Sequence, residues 1–188
     1  MRSSVGRGAA LALIAAIVAL GAPSAGVAAT RCHGAHTAPR AATGHELRVA
    51  VQCLVNAARG RHGLAPLDFS LALQESATAH SRSMERSASF THYGPHGSTL
   101  MVRASWSGYL TQASSFRLAE NIATGKGRRF GSPAAIVNDW MHSAGHRENI
   151  LDPAMRDFGV GVARGDPLGG RHDENAVAYT LDFGARHD

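Results

Sequence analysis

Three residues in this chain have side chains and settings suited to chemistry: His92, Glu120 and His146. His92 closes Ser89-Phe90-Thr91-His92, just past a helical pattern. Glu120 sits in Leu118-Ala119-Glu120-Asn121-Ile122-Ala123, with apolar residues on both sides. A carboxylate placed there is half-buried, and a buried charge requires a partner. Histidine is the natural one. A glutamate between two histidines can hold a divalent metal such as Zn2+, or it can orient an imidazole as a base. The three lie too far apart in sequence for a local metal motif, so the fold must assemble any site. His92 and His146 are the candidate metal ligands, and Glu120 is the candidate catalytic group.

Other groups have plainer readings. His142, in Trp140-Met141-His142-Ser143-Ala144-Gly145-His146, is an additional candidate ligand but reads better as a surface residue, because Gly145 interrupts the helix. His96 is separated from His92 by Gly94-Pro95. Ser143 lacks the Gly-x-Ser-x-Gly elbow of a nucleophile and reads as a cap. Trp140 reads as core, Asn121 as structural, and Arg147 with Glu148 as a solvated face.

The elements that must position these residues follow from periodicity. Leu47, Val51, Leu54, Val55 and Ala58 recur at helical spacing, so residues 45–61 form an amphipathic helix. Residues 64–67 turn at Pro66. Asp68 or Ser70 caps a second helix through about Arg86. Residues 88–97 read as loop, 98–106 as a short helix and 116–123 as a strand. Residues 126–131 read as a basic loop. Ser132-Pro133 starts a helix with the stripe Ile136, Val137, Trp140 and Met141. Gly145 breaks it, and 146–151 forms a turn. Residues 158–163 and 176–183 read as an antiparallel strand pair. Helices first and strands last argue an α+β domain.

The N-terminus reads as an export signal. Arg2 and Arg7 precede an apolar stretch over residues 9–20, then helix breakers, then Val27-Ala28-Ala29 as a cleavage site. The stretch is short for a membrane span. Residues 1–29 are therefore expected to be a signal peptide, 30–44 an irregular arm and 45–188 one domain, secreted, with no stable membrane span after cleavage. Cys32 follows Thr30-Arg31, not a lipobox. The formal net charge of +5 includes both leader arginines, and no basic run alternates with aromatics, which argues against nucleic acid. The only cysteines, Cys32 and Cys53, are expected to form a disulfide in an exported chain. Two free thiols and a metal pair are the alternatives.

Several blocks together resemble a known family. Phe90-Thr91-His92, Ala119-Glu120-Asn121-Ile122-Ala123 and the run from Trp140 to Leu151 are similar to signature blocks of the CAP superfamily. These are the cysteine-rich secretory, antigen 5 and pathogenesis-related 1 proteins, or SCP domains, and the bacterial branch fits best. The run Cys53 to Arg59 and the run Phe158 to Ala163 match as well, so the resemblance spans about residues 47–184. It implies an α-β-α sandwich with a central, mostly antiparallel sheet. It also implies a cleft lined by His92, Glu120 and His146. Ala144 occupies the place of a second acid, and Ala119 that of a common glycine. The missing acid weakens an acid–base tetrad. Three functions follow as expectations. The first is a secreted domain binding an extracellular lipid, peptide or envelope component, with or without a divalent metal. The second is a metal-assisted hydrolase using His92, Glu120 and His146. The third is a structural or defence protein with a vestigial cleft.

Overall fold

The computed structural model describes residues 31–169, 173 and 175–187. The expected signal peptide lies outside these residues. Among the described residues no helix is long and apolar enough to cross a membrane.

Side-chain caps start most of the helices. Helix α1 (Gly44–Arg61) begins with a capping box: Thr43 Oγ1 accepts from Glu46 N at 3.2 Å, and Thr43 N donates to Glu46 Oε2 at 2.6 Å. Ser70 caps α2 (Leu71–Ser87), and Thr99, one residue later than expected, caps α3 (Leu100–Trp106). Ser132 caps α5 (Pro133–His142), with proline at the first helical position.

Three local expectations are corrected. Residues 126–131 are not a loop. They end strand β2 (Ser115–Lys126) and form a short helix, α4 (Gly127–Gly131). The break after α5 falls at Ser143, whose backbone is extended, and Gly145 lies inside α6 (Ala144–Leu151). Glycine costs a helix only about 1 kcal/mol, which packing of the buried Ile150 offsets. The arm is only partly irregular, with a 3-10 turn at Pro39–Ala41.

Four strands form one sheet in the order β1-β3-β4-β2, with β1 (Asp68–Phe69) parallel to β3 (Asp157–Arg164) and the other pairs antiparallel. The central β4 (Ala176–His187) is buried over residues 176–185, with successive side chains on opposite faces. Val177, Tyr179, Leu181 and Phe183 join Phe158, Val160 and Val162 of β3 in the main core, against α1, α5 and α6. On the other face lie Ala178, Thr180 and Asp182, under α2. The architecture is the expected α-β-α sandwich.

Helix α2 lies directly on β3 because two glycines let it. A Cβ at Gly159 would sit 2.1 Å from Gln74 N, and one at Gly161 would sit 2.1 Å from the Ala77 carbonyl carbon and oxygen. This close approach lets Ser76 and Ser81 of α2 reach Asp182 and Thr180. Gly161→Ala should therefore push α2 off the sheet at a cost of about 2 kcal/mol, read as a lower urea midpoint. A midpoint equal to that of the parent chain would show that the helix is not seated on the glycine.

Candidate functional site

Strand β2 is an edge strand, and successive residues on a strand point to opposite faces. Glu120 and Asn121 use this alternation to hold two elements from opposite sides.

Glu120 faces α2. It is nearly buried, and its Oε1 accepts from His92 Nδ1 at 2.8 Å. Because the carboxylate only accepts, Nδ1 carries the proton, and in the neutral ring Nε2 is left with a lone pair. Glu120 Oε2 accepts from Arg103 Nη2 of α3 at 2.5 Å. Arg103 Nη1 also donates to the carbonyls of His92 and Ser98, so one guanidinium fixes the carboxylate and the loop that carries His92. His80 of α2 is fully buried, with Nε2 2.9 Å from the Thr91 carbonyl and 3.8 Å from Glu120 Oε1.

Asn121 faces the other way. Its Nδ2 donates to the His146 carbonyl at 3.0 Å, and its Oδ1 accepts from Asn149 Nδ2 at 2.9 Å. Thus β2 ties α6, and with it His146, to the strand that holds His92. Trp140 is core, as expected, and its Nε1 donates to the Ile122 carbonyl.

Position 144 is alanine, and a different carboxylate lies beside Glu120. Asp182 of β4 is the cross-strand partner of Glu120 and is fully buried. Its Oδ2 accepts from Ser76 Oγ at 2.6 Å. Burial, then the neighbouring Glu120 charge, push the Asp182 carboxyl well above its ordinary value. Burial works in the same direction on Glu120. There the His92 hydrogen bond and the charge of Arg103, with help from His80, outweigh it, and the pKa ends below its ordinary value. Of the two carboxyls, Asp182 therefore takes the proton first and Glu120 keeps the charge. Burial depresses His80, and this outweighs the pull of Glu120. Burial also depresses His146, and the His92 imidazole is near enough to depress it further.

The structure brings His92 and Glu120 into contact and sets His146 within electrostatic reach of His92. It leaves His142 apart, its Nδ1 bonded to the Asn138 carbonyl of its own helix. His96 is exposed with φ 56°, and Ser143 makes no side-chain capping bond. Arg103, Asp182 and the buried role of His80 are additions. The argument that singled out Glu120, a carboxylate amid apolar strand residues, applies equally to Asp182 in Ala176-Val177-Ala178-Tyr179-Thr180-Leu181-Asp182-Phe183.

The donor set does not fit a resident zinc ion, which takes three or four protein ligands. Among the described residues no group of three or more His, Cys, Asp or Glu converges for a metal. Glu120 is nearly buried and accepts from His92 and Arg103, so in this arrangement the carboxylate orients His92.

Comparison with known proteins bears on the whole arrangement. The profile of the cysteine-rich secretory protein family, CAP, matches residues 53–183. The uncharacterized protein YkwD of Bacillus subtilis is 36% identical over 127 residues, which is 66% of this chain and 45% of that protein. A crystal structure of an extracellular protein containing a SCP domain, from Bacillus anthracis, superposes with a TM-score of 0.59 at 25% identity, covering 76% of this chain and 43% of that one. An outer surface protein of Borrelia burgdorferi shares the fold, with a TM-score of 0.58 at 20% identity over 73% of this chain and 90% of its own. The chain spans less than half the length of the Bacillus relatives.

Proposed function

Because this chain belongs to the cysteine-rich secretory protein family, CAP, we propose that it is an exported binding domain. Its His92–His146 face receives an extracellular lipid, peptide or cell-envelope component. The extracellular description of the Bacillus anthracis relative and the signal-like N-terminus support export.

The observation that carries binding over catalysis is the engagement of Glu120. A general base needs to reach the substrate's proton within hydrogen-bond distance and to have a pKa near the working pH. Glu120 has one oxygen on His92 and the other on Arg103, and its pKa is shifted away from neutrality. It acts as a positioning residue for an imidazole whose side chain is 53% exposed. His92 Nε2 and the His146 ring are then the polar groups a ligand meets.

The test is a titration of labelled protein with palmitate, a short neutral peptide and a muropeptide, followed by NMR. One probe should shift the His92 and His146 ring signals saturably, and His92→Ala should weaken it about tenfold, the worth of one hydrogen bond to a charged or strongly polar group. Zn2+ alone should bind weakly by calorimetry. Turnover of a peptide or ester library that Glu120→Gln abolishes, or tight zinc binding lost in His92→Ala, would overturn this reading in favour of the hydrolase.

A further inference from the structure

Asp182 sits inside the sheet with a carboxylate beside it and no cation of its own. Its cross-strand partner on β2 is Glu120, and its partner on β3 is Gly159, which the α2 backbone covers at Leu73 and Gln74. The residue is 0% exposed, so water does not solvate a charge there. Among the described residues no ion pair includes Asp182. The other titratable or charged groups around the two carboxyls are Arg103 of α3, His80 of α2 and His92 of the intervening loop. Arg103 directs Nη2 at Glu120 and Nη1 at two carbonyls, and the His80 and His92 rings lie on the Glu120 side.

The hydrogen bonds of Asp182 are incomplete if it is ionised. Its Oδ2 accepts from Ser76 Oγ at 2.6 Å, whereas Oδ1 is buried without a donor. Glu120 and Asp182 are within hydrogen-bonding reach of each other, yet two carboxylates can only accept. One proton on Asp182 resolves both problems: it removes the second negative charge and makes Asp182 a donor to Glu120. We infer that Asp182 is a positioning residue that works as a neutral acid: it donates to Glu120, and the chain Ser76, Asp182, Glu120, His92 fixes the exposed imidazole from inside the sheet. Its service to binding rests on the reading of the His92 face as the one that meets a ligand. Its protonation and its hold on His92 are measured without a ligand, so they stand or fall apart from that reading.

The test uses the full chain, labelled with carbon-13 at the carboxyls. At about pH 7 the Asp182 carboxyl, assigned by Asp182→Asn, should resonate as a protonated acid and Glu120 as a carboxylate. An ionised Asp182 under these conditions would overturn the inference. Stability against pH gives a second readout. A carboxyl that is neutral when folded and ionised when unfolded loses stability as pH rises above its ordinary 3.8. Asp182→Asn has no proton to lose. The difference in urea midpoint should therefore move in the variant's favour from about pH 4 to about pH 8. Movement the other way, which an ion-paired carboxylate would give, would sink the idea. The hold on His92 is read from its Nδ1–H proton signal. The Asp182→Asn amide can still donate to Glu120, so the signal should stay sharp. Asp182→Ala removes the donor and should broaden the signal by faster solvent exchange. Asp182→Val, similar in bulk to aspartate, gives the same readout if the alanine chain does not fold. A signal as sharp as the parent's in either apolar variant would show that Asp182 does not position His92.

Discussion

Arg103→Met should destabilise the fold by about 3–5 kcal/mol, because it strands the Glu120 charge in the interior. Both side chains of the pair are about 5% exposed or less, so solvent cannot replace the guanidinium. The same change removes two bonds that hold the His92 loop. The pH dependence carries the mechanism. In the parent chain the Glu120 pKa lies below its ordinary 4.5, so its stabilisation is present above that value and is lost as pH falls through the folded pKa. In the variant, burial without Arg103 raises that pKa, so the folded state is penalised at neutral pH and relieved in acid. The gap between the two proteins should therefore narrow as pH drops through the region near 4.5. Urea unfolding at several pH values measures it. Arg103→Met combined with Glu120→Gln should recover part of the loss, since an amide can be buried at lower cost than an unpaired charge. A loss under about 1 kcal/mol, or a gap that is constant with pH, would show that the pair does not anchor the site.

The α+β class was legible in the sequence because its signals are local, while the sandwich itself came from the family resemblance. Ser70 and Ser132 each announce a helix start, and the stripes at Leu47–Ala58 and Ile136–Met141 announce the faces that pack on the sheet. The antiparallel partners were legible as two apolar runs. The two-residue strand β1 was not, since Asp68 and Phe69 are exposed and owe their strand geometry to pairing with Asp157 and Phe158 alone. Gly145 misled for a related reason. Glycine reads as a breaker, but whether a helix ends there depends on tertiary packing, and Ser143 takes the extended backbone instead.

The site was half legible. Glu120 stood out as a charge between apolar neighbours, and the need for a partner correctly pointed to histidine. Which histidine was hidden, because strand alternation sends Glu120 to His92 and leaves His146 to its neighbour Asn121. Arg103 was invisible from spacing: it becomes the counter-ion only when α3 folds across the edge strand. The resemblance implied a second acid at the place Ala144 holds, and none is there; the buried Asp182 on β4 was hidden because only sheet register sets it opposite Glu120. Registers and edges are properties of the assembled sheet, and a buried charge network is read only after they are known.

Reduction of the Cys32–Cys53 disulfide should cost about 3 kcal/mol, the loop-closure entropy of a bridge spanning 21 residues. The bridge ties the arm to α1, and the arm in turn braces the layer that carries His146. Ala35 O accepts from Ala134 N at the start of α5, Pro39 is buried against Gly131, and Arg164 reaches across to the Ala42 carbonyl. These contacts are few and mostly backbone, so without the covalent link the arm has little to offset the entropy of holding it down. The loss should appear as a lower melting temperature in dithiothreitol, and the Cys32→Ser/Cys53→Ser chain should melt at that same lower temperature with or without reductant. The disulfide also connects stability to compartment: a reducing cytosol would remove this contribution, whereas an oxidising space outside the membrane would keep it. If the double variant melts with the oxidised parent, the arm is held by its contacts alone. The bridge would then give no stability-based reason for the chain to work outside the cell.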